Sequence, residues 1–193
     1  MNKDRNWDIL LIGGASGTGK TKIARQLATL YGIDLVRVDD FQALLEALTT
    51  PETFPTLHYW SQNPNWKNEG VQNAVQRLIN VGQALSPGLS AVVKDHIEEN
   101  IPMILEGDFI LPEFVASVSS ERVKSIFVHE PSKEQIMQNF LAREGDEQEF
   151  RAEISHSFGR WLVDQCSKHG ITTIEARPWD NLPNRTIKQL CSR

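Results

Sequence analysis

Hydrophobic and polar positions along the chain change period several times, and each change marks an element. Ile9 to Ile12 is a continuous apolar run, the pattern of a strand buried on both faces. A glycine-rich segment follows. Ile23, Leu27 and Leu30 then recur at helical spacing with Ala24 and Ala28 beside them, and Gly32 stands where a helix would end. Ile33 to Val38 reads as a second strand with Asp39-Asp40 at its C-terminal end, and Phe41 to Leu48 as a short helix. Residues 49–66 lose the pattern: three prolines interrupt Phe54, Tyr59, Trp60 and Trp66, which predicts a long ordered loop. Val71 to Leu85 and Leu89 to Asn100 read as two helices separated by Pro87-Gly88. Pro102 to Glu106 and Val123 to Val128 are strands. Ser132 caps a helix carrying Ile136, Phe140 and Leu141, and an acidic stretch from Glu144 to Glu149 precedes an amphipathic helix through Phe150, Ile154, Phe158, Trp161 and Leu162. Ile171 to Ile174 is a last strand and Leu182 to Leu190 a last helix.

Strands alternating with helices predict an α/β fold, a parallel sheet covered on both sides. The length of 193 residues fits one domain over 1–193, with 41–100 as a helical insertion and 143–151 as a candidate lid. The formal net charge of −5 leaves no basic surplus for nucleic acid. Cys166 and Cys191 lack metal-ligand spacing and read as ordinary thiols of a reducing compartment. The Ile9–Ile12 run is too short for a signal core, and no stretch reaches membrane-span length, so the expected location is cytoplasmic.

The sharpest chemical signal is Gly14-Ala15-Ser16-Gly17-Thr18-Gly19-Lys20-Thr21, which meets the pattern G-x-x-x-x-G-K-[ST]. Glycines let backbone N–H groups turn around a phosphate, and the following helix directs its positive end at the same anion. In that arrangement Lys20 reaches the β- and γ-phosphates of ATP and Thr21 places its hydroxyl on Mg²⁺. The position between a buried-type strand and an amphipathic helix is the context the motif requires.

Ligands of open α/β sheets bind beyond the carboxyl ends of the strands, where two acidic groups stand. Asp39 follows the second strand and is read as the group that orients or deprotonates an acceptor hydroxyl; Asp40 is read as the cap of the helix at Phe41. Glu106 and Asp108 follow the third strand and are candidate Mg²⁺ carboxylates, although strand alternation need not aim both at the site. Arg143 is either a lid cation for the transferred phosphoryl group or a partner of neighbouring acids; Arg151 is read as a surface ion pair. Arg177-Pro178 is placed beside the adenine or in a plain turn. Tyr59, Trp60 and Trp66 line an acceptor pocket or form the small core beneath a loop. His58, His96, His129, His156 and His169 show no metal-ligand spacing, and Arg77 and Lys94 read as surface charges, with contact to an anionic acceptor as the alternative.

The stretch Gly13 to Thr21 resembles the phosphate loop of small-molecule and nucleotide kinases. Leu85-Ser86-Pro87-Gly88-Leu89, followed by Pro102-Met103-Ile104-Leu105-Glu106-Gly107-Asp108-Phe109-Ile110-Leu111-Pro112, is similar to 2-phosphoglycerate kinase and related P-loop kinases. The resemblance implies a three-layer α/β/α P-loop fold with strand order 2-3-1-4-5, a mobile lid, ATP and Mg²⁺. It also matches Asp39 to the acceptor-binding Asp of shikimate-, gluconate- and chloramphenicol-type kinases. Two features depart from the pattern: the lid is acidic, and residues 49–66 contain no arginine. The expected function is transfer of the γ-phosphoryl group of ATP to a small molecule. A nucleotide-dependent switch with slow hydrolysis and a toxin-like nucleotide-sugar kinase are the alternatives, although Asn-Lys-x-Asp and Leu-Ser-Gly-Gly-Gln signatures do not occur.

Overall fold

In a computed structural model, which describes residues 5–191, five parallel strands form one sheet in the order β2-β3-β1-β4-β5. The strands are β1 (Ile9–Gly13), β2 (Asp34–Arg37), β3 (Met103–Gly107), β4 (Val123–His129) and β5 (Thr173–Glu175). The helices are α1 (Lys20–Tyr31), α2 (Val38–Leu48), α3 (Pro55–Gln62), α4 (Val71–Glu98), α5 (Pro112–Ser117), α6 (Lys133–Glu144), α7 (Glu149–His169) and α8 (Leu182–Cys191). β1 is central, with Ile9 opposite both Met103 and Val123 and Gly13 opposite both Gly107 and Phe127.

The unbroken apolar run of β1 follows from that position. Ile9 to Ile12 are each 0% exposed. Alternate side chains enter opposite cores: Ile9 and Leu11 pack with residues of α4, α5 and α7, whereas Leu10 and Ile12 pack with residues of α1 and α8. At about 1.5–3 kcal/mol per buried aliphatic side chain, this strand alone contributes on the order of 10 kcal/mol before entropic costs. α1 ends at Gly32, which is left-handed (φ 64°) and returns its N–H to the Ala28 carbonyl. The Ser132 hydroxyl accepts the Gln135 N–H at 3.1 Å, the cap expected for α6.

Several boundaries differ from the sequence expectation. β2 stops at Arg37, the extended residue that precedes α2, so Asp39 and Asp40 lie in the first turn of that helix. Asp40 is therefore not the cap. Both carboxylates face the positive helix end, which favours them there. Residues 49–66 are not one loop, because Pro55 opens α3 at a position where its missing N–H is not needed. A 3₁₀ turn covers Trp66–Glu69. The two helices expected around Pro87 are one, α4. Proline inside a helix costs about 3 kcal/mol. Leu85, Leu89 and Val93 are at most 3% exposed, and burying three such side chains outweighs that cost. The Ser86 hydroxyl donates to the Gly82 carbonyl (2.8 Å) beside Pro87. α5, six residues long, carries too little periodicity to be expected from the sequence.

Candidate active site

The turn between β1 and α1 holds the glycine-rich loop. Gly14 has φ +144°, and a Cβ there would stand 2.3 Å from the Val128 carbonyl oxygen, so backbone conformation and space both demand glycine. The loop is braced from within by the Thr18 hydroxyl, which donates to Ala15 O (2.9 Å), and from α6 by Asn139, whose Nδ2 donates to Gly17 O (2.8 Å). Gly19 is left-handed (φ 87°) and precedes α1; the indole Nε1 of Trp179 lies 3.6 Å from where a Cβ on Gly19 would be.

Lys20, the first residue of α1, is 7% exposed. Its Nζ forms an ion pair with the Asp108 carboxylate and donates to Ala15 O (3.5 Å). The ammonium is thus held at the loop by a carboxylate from the segment after β3. Thr21 donates its hydroxyl to Glu106 Oε1 at 3.0 Å. Glu106 lies on β3 and is 2% exposed, and its Oε2 has no hydrogen-bond partner. Burial raises the Glu106 pKa; Lys20 and the Thr21 hydrogen bond pull it back, and the charges of Asp108 and Asp39 push it up again. A buried carboxylate with an open oxygen beside a threonine hydroxyl suits a hard cation such as Mg²⁺, which takes oxygen ligands and retains waters. Among the described residues no cluster of three or more His, Cys, Asp or Glu side chains offers a metal cage.

Asp39 is paired with Arg37. Arg37 Nη2 reaches Asp39 Oδ2 at 2.6 Å, Nη1 reaches Asp40 at 3.5 Å, and Nε stands 3.7 Å from Glu106 Oε1. Arg37 thereby links the first turn of α2 to the buried carboxylate, a role no motif announced.

Arg143 and Arg151 both pair with a neighbouring acid, one of the readings of each, and the acid is Glu144. Arg143 pairs with its neighbour Glu144 and lies over the Phe140 ring (5.3 Å). Arg151 pairs with Glu144 (2.7 Å) and stacks over Phe140 (4.4 Å), and its Nη2 also reaches the Ser16 hydroxyl at 3.5 Å, so this arginine touches the loop. The Glu144 carboxylate is held down to about 2, first by the Gln148 hydrogen bond and then by Arg143, with the charge of Arg151 adding to both. The Arg177 guanidinium grips the buried Glu130 through two contacts of 2.8 and 2.7 Å. Trp179, two residues on, faces the loop instead.

Beside Ser16 a cavity of about 260 Å³ opens between α4, α7 and the aromatic segment. Trp60, Trp66, Leu78 and Phe158 wall it, and Asp108 and Arg151 enter it. The aromatic cluster is real packing as well as lining: Tyr59 meets Trp60 edge-on at 5.2 Å, Trp60 meets Trp66 at 4.8 Å, and Trp66 leans on Phe150 of α7 at 5.9 Å. Trp60 and Trp66 line the cavity and pack together, whereas Tyr59 faces Arg77 (4.0 Å from the ring) and Glu69.

The fold is shared with solved kinases. Shikimate kinase from Acinetobacter baumannii, in complex with shikimate, superimposes with a TM-score of 0.56 at 16% identity, covering 97% of this chain and 95% of that one. The fold is that of the P-loop kinases. In sequence, this P-loop chain is 30% identical over 141 residues to a 2-phosphoglycerate kinase of Pyrococcus horikoshii, covering 70% of this chain and 46% of the relative. It is 25% identical over 183 residues to that of Thermococcus kodakarensis, covering 86% and 60%. The chain spans about half the length of the curated relatives it matches. No protein-family model matches it. No described helix is long and apolar enough to cross a membrane.

Proposed function

We propose that the chain is an ATP-dependent phosphotransferase that moves the γ-phosphoryl group to a small-molecule hydroxyl. One observation carries the proposal: the cavity begins at Ser16 of the phosphate loop and contains Asp108, the partner of Lys20. A bound γ-phosphoryl group and an organic acceptor would therefore meet across one wall, the proximity that transfer requires. The P-loop kinase relatives support the same reading.

In the proposed reaction the loop from Gly14 to Thr21 receives the polyphosphate. Lys20 exchanges the Asp108 carboxylate for phosphate oxygens, and Asp108 is released toward the acceptor. The acceptor oxygen attacks the γ-phosphorus while the bond to the β–γ bridging oxygen breaks and ADP leaves. Asp108 accepts the hydroxyl proton. Thr21 and Glu106 would hold Mg²⁺, which would supply charge neutralisation at the phosphates. Arg151 turns from Glu144 to the equatorial oxygens of the transferred group. Asp39, with Arg37, supports Glu106 and the acceptor side. Residues 41–100 form the acceptor-side unit and 143–151 the lid. Arg143 is assigned the outer side of that lid. Adenine is placed against the segment Arg177-Pro178-Trp179. The acidic net charge and the unpaired thiols support a cytoplasmic enzyme that handles metabolites rather than nucleic acid.

The test is ATP consumption against sugars, nucleosides, hydroxy acids and 2-phosphoglycerate, comparing wild type with Lys20→Ala, Asp108→Asn and Asp39→Asn. Loss of a positioned proton acceptor costs about 10²–10⁴-fold, so Asp108→Asn should lose turnover on that scale while still binding ATP. Lys20→Ala should also weaken ATP. A stable ATP complex that no acceptor turns over would instead indicate a nucleotide switch.

A further inference from the structure

We infer that the acceptor is a small uncharged ring alcohol or phenol, recognised through its apolar face, and not a phosphorylated acid. The inference rests on the phosphotransferase reading above and names the substrate class of the same cavity.

The walls state what the acceptor presents. Trp60 and Trp66 meet edge-to-face and offer indole surface, Leu78 contributes from α4, and Phe158, fully buried in the core, backs the cavity from behind. Such surfaces gain from covering an apolar ring and give nothing to a charged one. The volume of about 260 Å³ falls just under the roughly 300–1,000 Å³ typical of sites for drug-sized ligands, which suits one ring with short substituents.

The charges state what the acceptor lacks. A phosphate ester carries about −1.5 to −2 at pH 7, and phosphate sites answer it with clustered arginines. The cavity receives one carboxylate, Asp108, and one guanidinium, Arg151. Arg151 already faces Glu144 (2.7 Å) and Gln148 (2.9 Å), and in the proposed cycle it serves the transferred phosphoryl group. Arg77, the neighbouring cation of α4, is held over the Tyr59 ring and lies 3.9 Å from Glu69. Arg37 is tied to Asp39, Asp40 and Glu106. Residues 49–66, which supply the aromatic wall, contain no arginine or lysine. Lys67, next along the chain, lies over the Trp66 ring (5.9 Å). Among the described residues lining the cavity, Arg151 is the one cation a doubly charged acceptor would meet, and it would meet Asp108 as well. A neutral hydroxyl meets a carboxylate able to accept its proton.

The chemistry balances without a further reactant. The ring hydroxyl loses its proton to Asp108, its oxygen forms the new bond to phosphorus, and ADP departs with the electrons of the broken P–O bond.

Calorimetric titration of the full chain, with Mg²⁺ and a non-hydrolysable ATP analogue bound, tests this directly. The probes are 4-hydroxyphenethyl alcohol, 4-nitrobenzyl alcohol and thymidine on one side, and 2-phosphoglycerate and gluconate on the other. At least one ring alcohol should bind about tenfold or more tightly than either anion, a gap of about 1.4 kcal/mol. Trp66→Leu should weaken that ring alcohol by a similar factor, and Trp66→Phe should restore most of it while the ATP analogue binds all three proteins alike. Tighter binding of 2-phosphoglycerate or gluconate overturns the inference, as does saturable heat from none of the ring alcohols or an affinity indifferent to Trp66→Leu. The wild-type comparison decides the matter even if the Trp66 variants do not fold. A ring alcohol that binds yet never stimulates ATP consumption removes the phosphotransferase reading and leaves the cavity assignment standing, so the two failures are distinct.

Discussion

Two glycines of α4 give a quantitative test of how this helix is seated against the site. Gly88 is exposed, and a Cβ built there meets nothing within 4 Å. Alanine in a helix interior is favoured over glycine by about 1 kcal/mol, so Gly88→Ala should stabilise the protein by that amount, about 2–4 °C in Tm for a chain of this size. Gly82, six residues earlier, is buried, and its Cβ would stand 2.7, 2.8 and 2.9 Å from Cγ, Cδ1 and Cδ2 of Leu111. Carbon atoms prefer about 3.5–4.0 Å. Leu111 is 2% exposed and cannot swing into solvent, so α4 or the 108–111 segment must move. Overpacking of this kind costs about 1–3 kcal/mol, which exceeds the propensity gain, and the net effect should be a loss of up to about 2 kcal/mol. The displacement also has a functional direction. Leu78, one turn before Gly82, walls the cavity, and Asp108, three residues before Leu111, enters it. Gly82→Ala should therefore lower acceptor-stimulated ATP consumption as well as Tm, while Gly88→Ala leaves turnover unchanged. Differential scanning calorimetry on the two variants is sufficient. Equal stabilisation by both would refute the close seating of α4 on Leu111.

Glu106→Gln separates stability from catalysis. Because burial raises the Glu106 pKa, its contribution to folding is fully present below the ordinary carboxylate value and is lost as pH rises through the raised one. Melting curves in metal-free buffer should show the variant gaining on wild type as pH rises above 4.5, with turnover abolished; parallel pH profiles would contradict the assigned burial. Arg151→Ala should cost turnover by orders of magnitude, and Arg143→Ala little, since only Arg151 reaches Ser16; steady-state kinetics on the pair decides it, and equal losses would reverse the assignment. Burial pushes the Cys166 thiol up to about 12, whereas Cys191 is exposed. An aromatic disulfide reagent should release one equivalent from native protein and the second only after denaturation; two rapid equivalents would show that the α7 core opens.

The sheet and its loop were legible in the sequence because their signals are local and strong. A strand buried on both faces must be apolar at every position, which Ile9 to Ile12 display, and a loop that curls around phosphate must place glycines and a lysine at fixed spacing. What propensity misjudged was decided by burial. Pro87 predicted a break in α4, but the apolar side chains on either side of it are worth more buried than the break costs. Asp40 looked like a cap because an aspartate before a helix usually is one, whereas the chain entered α2 two residues earlier.

The sequence by itself determined that this protein folds as an α/β layer and places a polyphosphate loop at the carboxyl end of its central strand. Only the tertiary structure decided which carboxylate and which arginine touch that loop. Asp108 rather than Asp39 meets Lys20, and Arg151 rather than Arg143 meets Ser16. Asp108 lies 88 positions after Lys20 and Arg151 lies 135 after Ser16. No local pattern records such a pairing, because it arises only when the edges of separately buried elements are brought to one place by the packing of their apolar faces.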